Sequence, residues 1–319
     1  MSSKALKIAV LGTGKMGQNH LRILSKLPDV KIAFIYDYDA NVAQNLANEY
    51  STKVAKNESE LENLLKSVDA VIIATPTFTH FSYIKLASKY VKNIFVEKPL
   101  CANFSECKEL KLKNHKIQTG FIERYNPAFM ELKNISKMAK SLKIVEFSRS
   151  SFGSSRIKDA DVISDLMIHD IDLALHLNGT AKCVFACGFG TEQIDLAKAI
   201  LKHENGVISS LFTSRITHKN ERKITADFAE FFIECDLLGK KLLISDENGT
   251  REKSLENSNQ LELELKDFCE FSGLNFLKNS KDLENSNIAD FKDGTKAIKM
   301  ADTIREIINK TSCFKSNLS

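Results

Sequence analysis

The first 120 residues alternate between short apolar runs and longer amphipathic stretches. The apolar runs are bounded by polar or turn-forming residues, as expected for strands buried on both faces, and they lie at 7–11, 31–36, 70–74 and 93–96. The amphipathic stretches carry apolar residues at helical spacing, and they lie at 15–27, 39–50, 58–67, 79–90 and 103–113. This alternation predicts right-handed βαβ crossovers, and therefore an α/β domain with a doubly wound parallel sheet.

The pattern changes after about residue 120. Several later runs alternate apolar and polar residues, which is typical of an antiparallel sheet with one covered face. Strands are predicted at 143–152, 182–189, 196–203, 206–216, 223–235 and 240–245, helices at 127–140, 160–178, 264–278 and 292–310, and polar surface loops at 246–260 and 278–288. We therefore expect an α/β domain over 1–121 and an α+β domain over 122–319, with the last helix, about 290–310, able to pack back on the first domain.

Length and composition narrow the class of protein. The chain has 319 residues, which suits about two domains. Its net charge of +4, without a stripe of basic residues, does not predict nucleic-acid binding. No window of about 18 apolar residues predicts a membrane span. The seven cysteines include no C-x-x-C pair, so no metal site is predicted, and reduced thiols fit a cytoplasmic protein.

The strongest motif is a glycine loop between the first predicted strand and the first predicted helix. Its sequence is Gly12-Thr13-Gly14-Lys15-Met16-Gly17, and Asp37 follows twenty residues after the last glycine. Such glycines allow a tight turn and let backbone N–H groups approach a pyrophosphate at the helix N-terminus. Asp37 would accept hydrogen bonds from both ribose hydroxyls and would repel a 2′-phosphate. Together, these residues predict a site for NAD rather than NADP.

A second loop follows the predicted strand at 70–74. It reads Ala74-Thr75-Pro76-Thr77-Phe78-Thr79-His80 and carries hydroxyl groups at the sheet edge where ligands bind in such folds. We assign four of its residues to the cofactor site: Thr75, Pro76, Thr77 and His80. The alternative is a plain helix-capping loop.

A charged pair ends the next predicted strand, in the sequence Glu97-Lys98-Pro99. Charged side chains that end an apolar run at this edge point to the cofactor cleft, so we assign both residues to it. A lysine there could stabilise an alkoxide, or act as a base once its pKa is depressed. The alternative is a salt bridge that faces solvent.

These three motifs, at these separations, resemble the glucose-fructose oxidoreductase / inositol dehydrogenase / rhizopine-catabolism family. The resemblance implies an N-terminal Rossmann domain, and a C-terminal domain with an open, mostly antiparallel sheet that builds a homo-oligomer, a dimer or a tetramer. It also implies hydride transfer between NAD or NADP and a sugar or cyclitol carbon, and a cis peptide bond before Pro99.

The family's second signature, Asp-x-Gly-x-His-x-x-Asp, is similar to Asp165-Leu166-Met167-Ile168-His169-Asp170-Ile171-Asp172. Met167 replaces the usual glycine. In a helix Asp165, His169 and Asp172 would share one face, and a histidine beside carboxylates is suited to take a hydroxyl proton. We therefore predict His169, oriented by Asp165, as the base and Lys98 as the alkoxide stabiliser, with the reverse assignment open. All three residues would contact the substrate.

A third cue is the string Gly120-Phe121-Ile122-Glu123-Arg124-Tyr125-Asn126-Pro127. With the string 165–170 it resembles one branch of the family, the bacterial UDP-N-acetylglucosamine 3-dehydrogenases. That resemblance implies oxidation of the sugar 3-hydroxyl with NAD, ahead of an aminotransferase that makes a 3-amino sugar for lipid A. We assign Arg124 to the cofactor, and Tyr125 and Asn126 to the substrate.

Arginine usage points weakly to a nucleotide-sugar. Arg149 and Arg156 flank a polar loop, and arginine forks suit the second pyrophosphate that such a substrate carries. The alternative for both is a solvated surface loop. Two other functions stay open: a dehydrogenase of a free sugar or inositol, and a non-catalytic NAD-binding sensor on the same fold.

Overall fold

The computed structural model describes residues 5–152, 160–273 and 286–310. These residues form two compact units. The first contains the described residues up to Ile122 and those between Asn259 and Thr295, and the second contains Glu123–Ser258 and the rest of the last helix. The sequence predicts a boundary at 121, with the last helix, about 290–310, able to pack back on the first domain. In the structure the described residues between Asn259 and Thr295, which include a further helix, belong to the first unit.

The first unit is built on a parallel six-stranded sheet in the order β3-β2-β1-β4-β5-β6. Its strands are β1 (Leu6–Leu11), β2 (Val30–Tyr36), β3 (Lys53–Val54), β4 (Ala70–Ile73), β5 (Asn93–Glu97) and β6 (Lys116–Gly120). Every residue of β4 is buried, because helices cover both faces of a doubly wound sheet. The predicted fold class is confirmed.

Among the described residues, six helices belong wholly to this unit. They are α1 (Lys15–Leu24), α2 (Ala40–Glu49), α3 (Glu58–Leu65), α4 (Thr77–Ala87), α5 (Phe104–Glu109) and α8 (Gln260–Phe271). The return of α8 has a packing reason. Leu265 and Phe268 join the buried cluster that contains Phe95, and the Phe95 and Phe268 rings meet edge to face at 5.5 Å. Removing these side chains from water stabilises the unit.

The second unit is built on an eight-stranded sheet in the order β14-β13-β12-β11-β7-β10-β9-β8. Its strands are β7 (Leu142–Ser150), β8 (Ala181–Phe189), β9 (Leu196–His203), β10 (Ile208–Ser214), β11 (Glu221–Phe228), β12 (Phe232–Asp236), β13 (Lys241–Asp246) and β14 (Gly249–Lys253). Neighbours are antiparallel except β7 and β10, which are parallel. The predicted mostly antiparallel sheet is therefore confirmed.

Two predictions within this sheet are wrong. The strand predicted at 223–235 is a hairpin of β11 and β12, because a turn at 229–231 interrupts the apolar pattern. The stretch 246–260, predicted as a loop, contains β14, all of whose side chains are exposed. An edge strand without a buried face has no apolar alternation for the sequence to show.

The helices of the second unit carry several predicted site residues. A short 3-10 turn (Ile122–Tyr125) leads into α6 (Pro127–Ala139), and a π-helical turn (Ile163–Met167) leads into α7 (Ile168–Asn178). The last helix, α9 (Phe291–Lys310), begins in the first unit and continues in the second from Lys296. Among the described helices, none is both long and apolar enough to cross a membrane.

Candidate active site

The glycine loop between β1 and α1 leaves space at only one of its three glycines. Gly12 has a φ of +88°, and a Cβ there would lie 2.6 Å from the backbone of Ala74. A Cβ on Gly17 would lie 1.9 Å from the carbonyl oxygen of Gly12. At Gly14, in contrast, no atom lies within 4 Å of where a Cβ would be. Gly12 and Gly17 are therefore required by the fold, and Gly14 opens the loop to a ligand.

This opening lies at the N-terminus of α1. Gly14 is the N-cap residue, and among the described side chains none caps the helix or adds an acidic group in its first turn. Lys15 is exposed, and Met16 packs partly against the apolar core. The first backbone N–H groups of a helix and its dipole attract anions. The loop therefore fits the pyrophosphate of a dinucleotide.

Asp37, directly after β2, is held at the same sheet edge. Its Oδ2 accepts hydrogen bonds from the Thr13 backbone N–H at 2.5 Å and from the Thr13 hydroxyl at 2.6 Å. Its Oδ1 accepts from the Asp39 backbone N–H at 2.9 Å. The carboxylate is thus fixed beside the glycine loop, where it fits the hydroxyls of a ribose.

The loop after β4 contains a buried histidine. His80 is 1% exposed, with Nδ1 2.8 Å from the Pro99 carbonyl oxygen and Nε2 2.9 Å from that of Thr75. Burial lowers the pKa of His80, and this effect outweighs the two carbonyl contacts that raise it. The ring holds the loop against Pro99, so its geometry is that of a positioning residue. Thr75, at the same edge, has its hydroxyl 2.7 Å from that of Thr79.

Pro76 and Thr77 form the start of α4. Pro76 is its N-cap residue and Thr77 its first residue. The predicted cofactor residues of this loop therefore lie at a helix N-terminus, at the carboxyl ends of the parallel strands, where ligands bind in doubly wound sheets.

The end of β5 carries a contact that the sequence did not reveal. Glu97 Oε1 lies 2.7 Å from Nε2 of His20, a fully buried residue of α1. The two residues are 77 positions apart, so no local pattern could pair them. Lys98 follows and is half-buried, and the Lys98–Pro99 bond is cis, as the family resemblance implied. The helix of the glycine loop is thereby joined to the strand that presents Lys98.

The second predicted signature lies on the π-helical turn and on α7. Asp165 is buried within the π turn, and His169 lies one residue into α7 and is half-buried. The continuous helix predicted at 160–178 is therefore two helical segments. Such single π turns occur often at functional sites. Met167, at the position of the family's glycine, is fully buried.

Asp172 is used inside the second unit. Its Oδ2 accepts from Arg124 Nε at 2.7 Å, and its Oδ1 accepts from Arg124 Nη2 at 2.6 Å. Both side chains are 2% exposed. Two parallel contacts of this kind are strong and specific. Arg124, which the sequence assigns to the cofactor, uses this edge of its guanidinium group to hold α7.

Arg149 is also occupied within the protein. Its Nε and Nη2 contact Asp170 at 2.8–3.1 Å, and Nη1 contacts Glu123 Oε1 at 3.0 Å. Arg222 reaches the same Glu123 oxygen at 2.9 Å. Burial alone would raise the pKa of Glu123, but Arg149 and Arg222 hold it below its usual range.

The expectation that Arg149 binds a substrate pyrophosphate is thereby corrected, because all three of its side-chain nitrogens already contact carboxylates. Arg156 lies outside the described residues. Asn126 is 1% exposed, caps α6 through Ala128, and donates to the Leu237 carbonyl oxygen at 2.9 Å. Tyr125, beside it, is also buried. These contacts give Asn126 a structural role within the second unit.

Comparison with known proteins agrees with this architecture. The family described as "Oxidoreductase family, NAD-binding Rossmann fold" matches residues 6–119. The one described as "GFO/IDH/MocA C-terminal domain" matches residues 145–239. The first match covers the glycine loop, Asp37 and Lys98, and the second covers Asp165 and His169.

Individual relatives include dehydrogenases of different substrates. A UDP-N-acetylglucosamine 3-dehydrogenase from Acidithiobacillus ferrooxidans is 29% identical over 246 residues, 75% of this chain and 76% of that protein. A scyllo-inositol 2-dehydrogenase (NAD(+)) from Bacillus subtilis is 30% identical over 233 residues, 66% of this chain and 67% of that protein. A solved structure of the A. ferrooxidans enzyme has a TM-score of 0.83 at 26% identity, covering 96% of this chain and 98% of that one.

Proposed function

Because this chain belongs to the GFO/IDH/MocA family of NAD-binding oxidoreductases, we propose that it oxidises the 3-hydroxyl of UDP-N-acetylglucosamine to the 3-keto sugar. One observation carries the choice of substrate. The likeness to the A. ferrooxidans UDP-N-acetylglucosamine 3-dehydrogenase extends over nearly the whole of both chains in structure and three quarters of each in sequence.

The proposed chemistry divides between two sets of residues. His169, oriented by Asp165, removes the proton from the sugar hydroxyl. Lys98, as an ammonium group, stabilises the negative charge that develops on the oxygen. NAD, when bound to the glycine loop and Asp37, supplies the hydride acceptor. The reverse assignment, with Lys98 as base, uses the same residues, and the pH dependence of kcat distinguishes the two.

The proposal extends to the protein's surroundings. We place the enzyme in the cytoplasm, as a homo-oligomer, with an aminotransferase that consumes the ketone ahead of lipid A synthesis. The outer face of the second sheet supports self-association, because Ile144 and Ile208 lie side by side on β7 and β10 and are each 39% exposed. Light scattering on the purified protein, with Ile208→Lys as the disrupting variant, tests the oligomer.

The reaction is tested with protein at stoichiometric concentration, NAD and UDP-N-acetylglucosamine, followed at 340 nm. Absorbance should rise only when the nucleotide-sugar is present. Replacing His169 with alanine should lower kcat by about 10²–10⁴, the usual contribution of a general base, while the affinity for NAD stays unchanged. Lys98→Ala should abolish the rise, and Lys89→Ala is the matched control because Lys89 is an exposed residue with a 57% exposed side chain. Turnover of His169→Ala at the wild-type rate would refute its role.

A second candidate is a dehydrogenase of a free inositol. The scyllo-inositol 2-dehydrogenase relative is as similar in sequence as the nucleotide-sugar enzyme. In addition, Arg149, which was expected to bind a second pyrophosphate, is occupied by Asp170 and Glu123. The same assay with scyllo- and myo-inositol separates the candidates: a rise with either inositol, and none with the nucleotide-sugar, would replace the first proposal.

A further inference from the structure

A cluster of charged residues joins the C-terminal helix to the π-helical turn of the second unit. Arg305, on α9, places its Nε 2.6 Å from Asp161 Oδ2 and its Nη2 2.6 Å from the Ser164 hydroxyl. Its third nitrogen, Nη1, lies 2.6 Å from Asp302 on the same helix. One guanidinium group therefore bridges a residue two positions before the π turn and a residue within it.

Asp161 transmits this contact to the backbone of the turn. Its Oδ1 accepts from the Ser164 backbone N–H at 2.8 Å, and its carbonyl oxygen accepts from the Asp165 backbone N–H at 3.1 Å. Both contacts satisfy N–H groups at a helix start, which have no partner within the helix. Burial alone would raise the pKa of Asp161, but the hydrogen bonds and charge of Arg305 hold it below its usual range. The capping carboxylate is therefore held in its ionised form.

The π geometry is what makes this support necessary. A π turn is rare and persists where surrounding contacts favour it. Its entry is anchored on the backbone, where Val162 N–H donates to the Ile194 carbonyl oxygen at 2.9 Å and Arg215 donates to that of Ala160 at 2.8 Å. Arg305 adds a contact to a side chain of the turn itself, that of Ser164.

We propose that Arg305 is a positioning residue for Asp165 and His169, and that it acts by fixing the π turn through Asp161 and Ser164. The inference rests on the proposed function, in which Asp165 orients His169. When Arg305 is removed, the turn loses its side-chain support and Asp165 leaves the position from which it stabilises the protonated imidazole. The reaction then slows although Arg305 itself is not a catalytic residue.

The test measures His169 directly, without substrate. The protein is labelled at histidine, and the ring resonance of His169 is identified by its loss in His169→Gln. In Arg305→Gln we expect the pKa of His169 to fall by about 0.5 or more, since a nearby carboxylate raises a histidine pKa by an amount of this order. The sign is diagnostic, because deleting a positive charge without any movement would raise that pKa.

Three further variants sharpen the result. Arg305→Lys retains the charge but not the fork, so its His169 pKa should lie between those of the wild type and of Arg305→Gln. Arg251→Gln is the matched control, because Arg251 also pairs with an aspartate in the second unit but has a 58% exposed side chain on the β13–β14 hairpin. If Arg305→Gln does not fold, Ser164→Ala removes one contact of the guanidinium group without changing charge, and should lower the His169 pKa in the same direction.

Activity gives a second readout. In Arg305→Gln, kcat with the substrate should fall at least tenfold and its acid limb should move to lower pH, with the NAD dissociation constant unchanged within twofold. A lower melting temperature with the wild-type His169 pKa and kcat would overturn the inference and leave Arg305 as a stabilising contact. If the wild-type protein oxidises no sugar but its His169 pKa still responds to Arg305, the proposed function fails and the positioning role stands.

Discussion

Two substitutions in the glycine loop should have different effects, one on the stability of the fold and the other on the affinity for the cofactor. Gly14→Ala and Gly17→Ala add the same methyl group three residues apart. At Gly14 the new atom meets nothing within 4 Å, and the backbone φ is −63°, which alanine adopts readily. At Gly17 it would lie 1.9 Å from a backbone oxygen that cannot rotate away. We expect Gly14→Ala to weaken NAD binding and Gly17→Ala to weaken the fold.

The magnitudes follow from these distances. Overpacking of a closed site costs about 1–3 kcal/mol, and each kcal/mol lowers the melting temperature of a domain of 150–250 residues by about 2–4 °C. Gly17→Ala should therefore melt ~2–12 °C below the wild type. Gly14→Ala should change the melting temperature little. If its methyl group displaces the pyrophosphate from one backbone N–H, the lost hydrogen bond to a charged group is worth about 1.5–3 kcal/mol, or roughly 10–100-fold in the dissociation constant.

The assay is thermal unfolding of the protein without cofactor, followed by titration with NAD in a calorimeter. The two variants serve as controls for each other, since they add the same atoms to the same loop. An unchanged NAD affinity in Gly14→Ala would refute the placement of the pyrophosphate at this helix N-terminus. A Gly17→Ala protein as stable as the wild type would refute the role of Gly17 in the fold.

Three further predictions concern charge. Asp37→Ala should reduce the preference for NAD over NADP at least about tenfold, measured as the ratio of dissociation constants, because it removes both a ribose acceptor and a negative charge. Arg149→Met should lower the free energy of unfolding by about 3–5 kcal/mol at pH 7, since Glu123 and Asp170 lose a buried partner. Urea unfolding at pH 4 should show a smaller loss of stability, and a loss equal to that at pH 7 would contradict the role of Arg149 as the partner of these carboxylates. Because burial lowers the pKa of His80, the unfolded chain binds a proton at this residue more tightly than the folded protein does. The contribution of neutral His80 to the free energy of unfolding is therefore complete above about pH 6.5 and is lost as the pH falls. His80→Gln should therefore flatten the melting temperature between pH 7 and pH 5, and an unchanged slope would count against a neutral buried His80.

The parts of the site that sequence predicts well are those built by neighbouring residues. The glycine loop, its helix and the strand that precedes Asp37 form one βαβ unit within about 30 residues. Strand, turn and helix each leave a local pattern there, and the ligand edge of a parallel sheet follows from topology alone. The sequence alone therefore places Asp37 beside the loop.

The parts that sequence does not predict depend on distant partners. Glu97 meets His20 across 77 positions, and α8 returns to the first unit after more than a hundred intervening residues. The π turn is a further case, because residues 163–167 carry the same apolar spacing as an ordinary helix. Hydrophobic periodicity identifies an element and its buried face, but it does not say which other element covers that face.

The buried arginines show why a charged motif is a weak guide to a ligand. The sequence assigns Arg124 to the cofactor, and it assigns Arg149 to a substrate pyrophosphate because the fork of an arginine suits a phosphate. The same fork suits a carboxylate equally well, and the structure supplies Asp172 to the first and Asp170 to the second. Only the positions of the carboxylates could decide between these uses.

This reassignment changes what the string Glu123-Arg124-Tyr125-Asn126 signifies. Glu123 is bound by Arg149 and Arg222, Arg124 holds Asp172, and Asn126 caps α6. A string that resembles one branch of the family therefore contributes to the internal architecture of the second unit. Two enzymes can share that architecture and still oxidise different sugars, since specificity depends on the side chains that reach the substrate. The choice between a nucleotide-sugar and an inositol must accordingly come from turnover of the two substrates by the same protein, compared at equal NAD concentration.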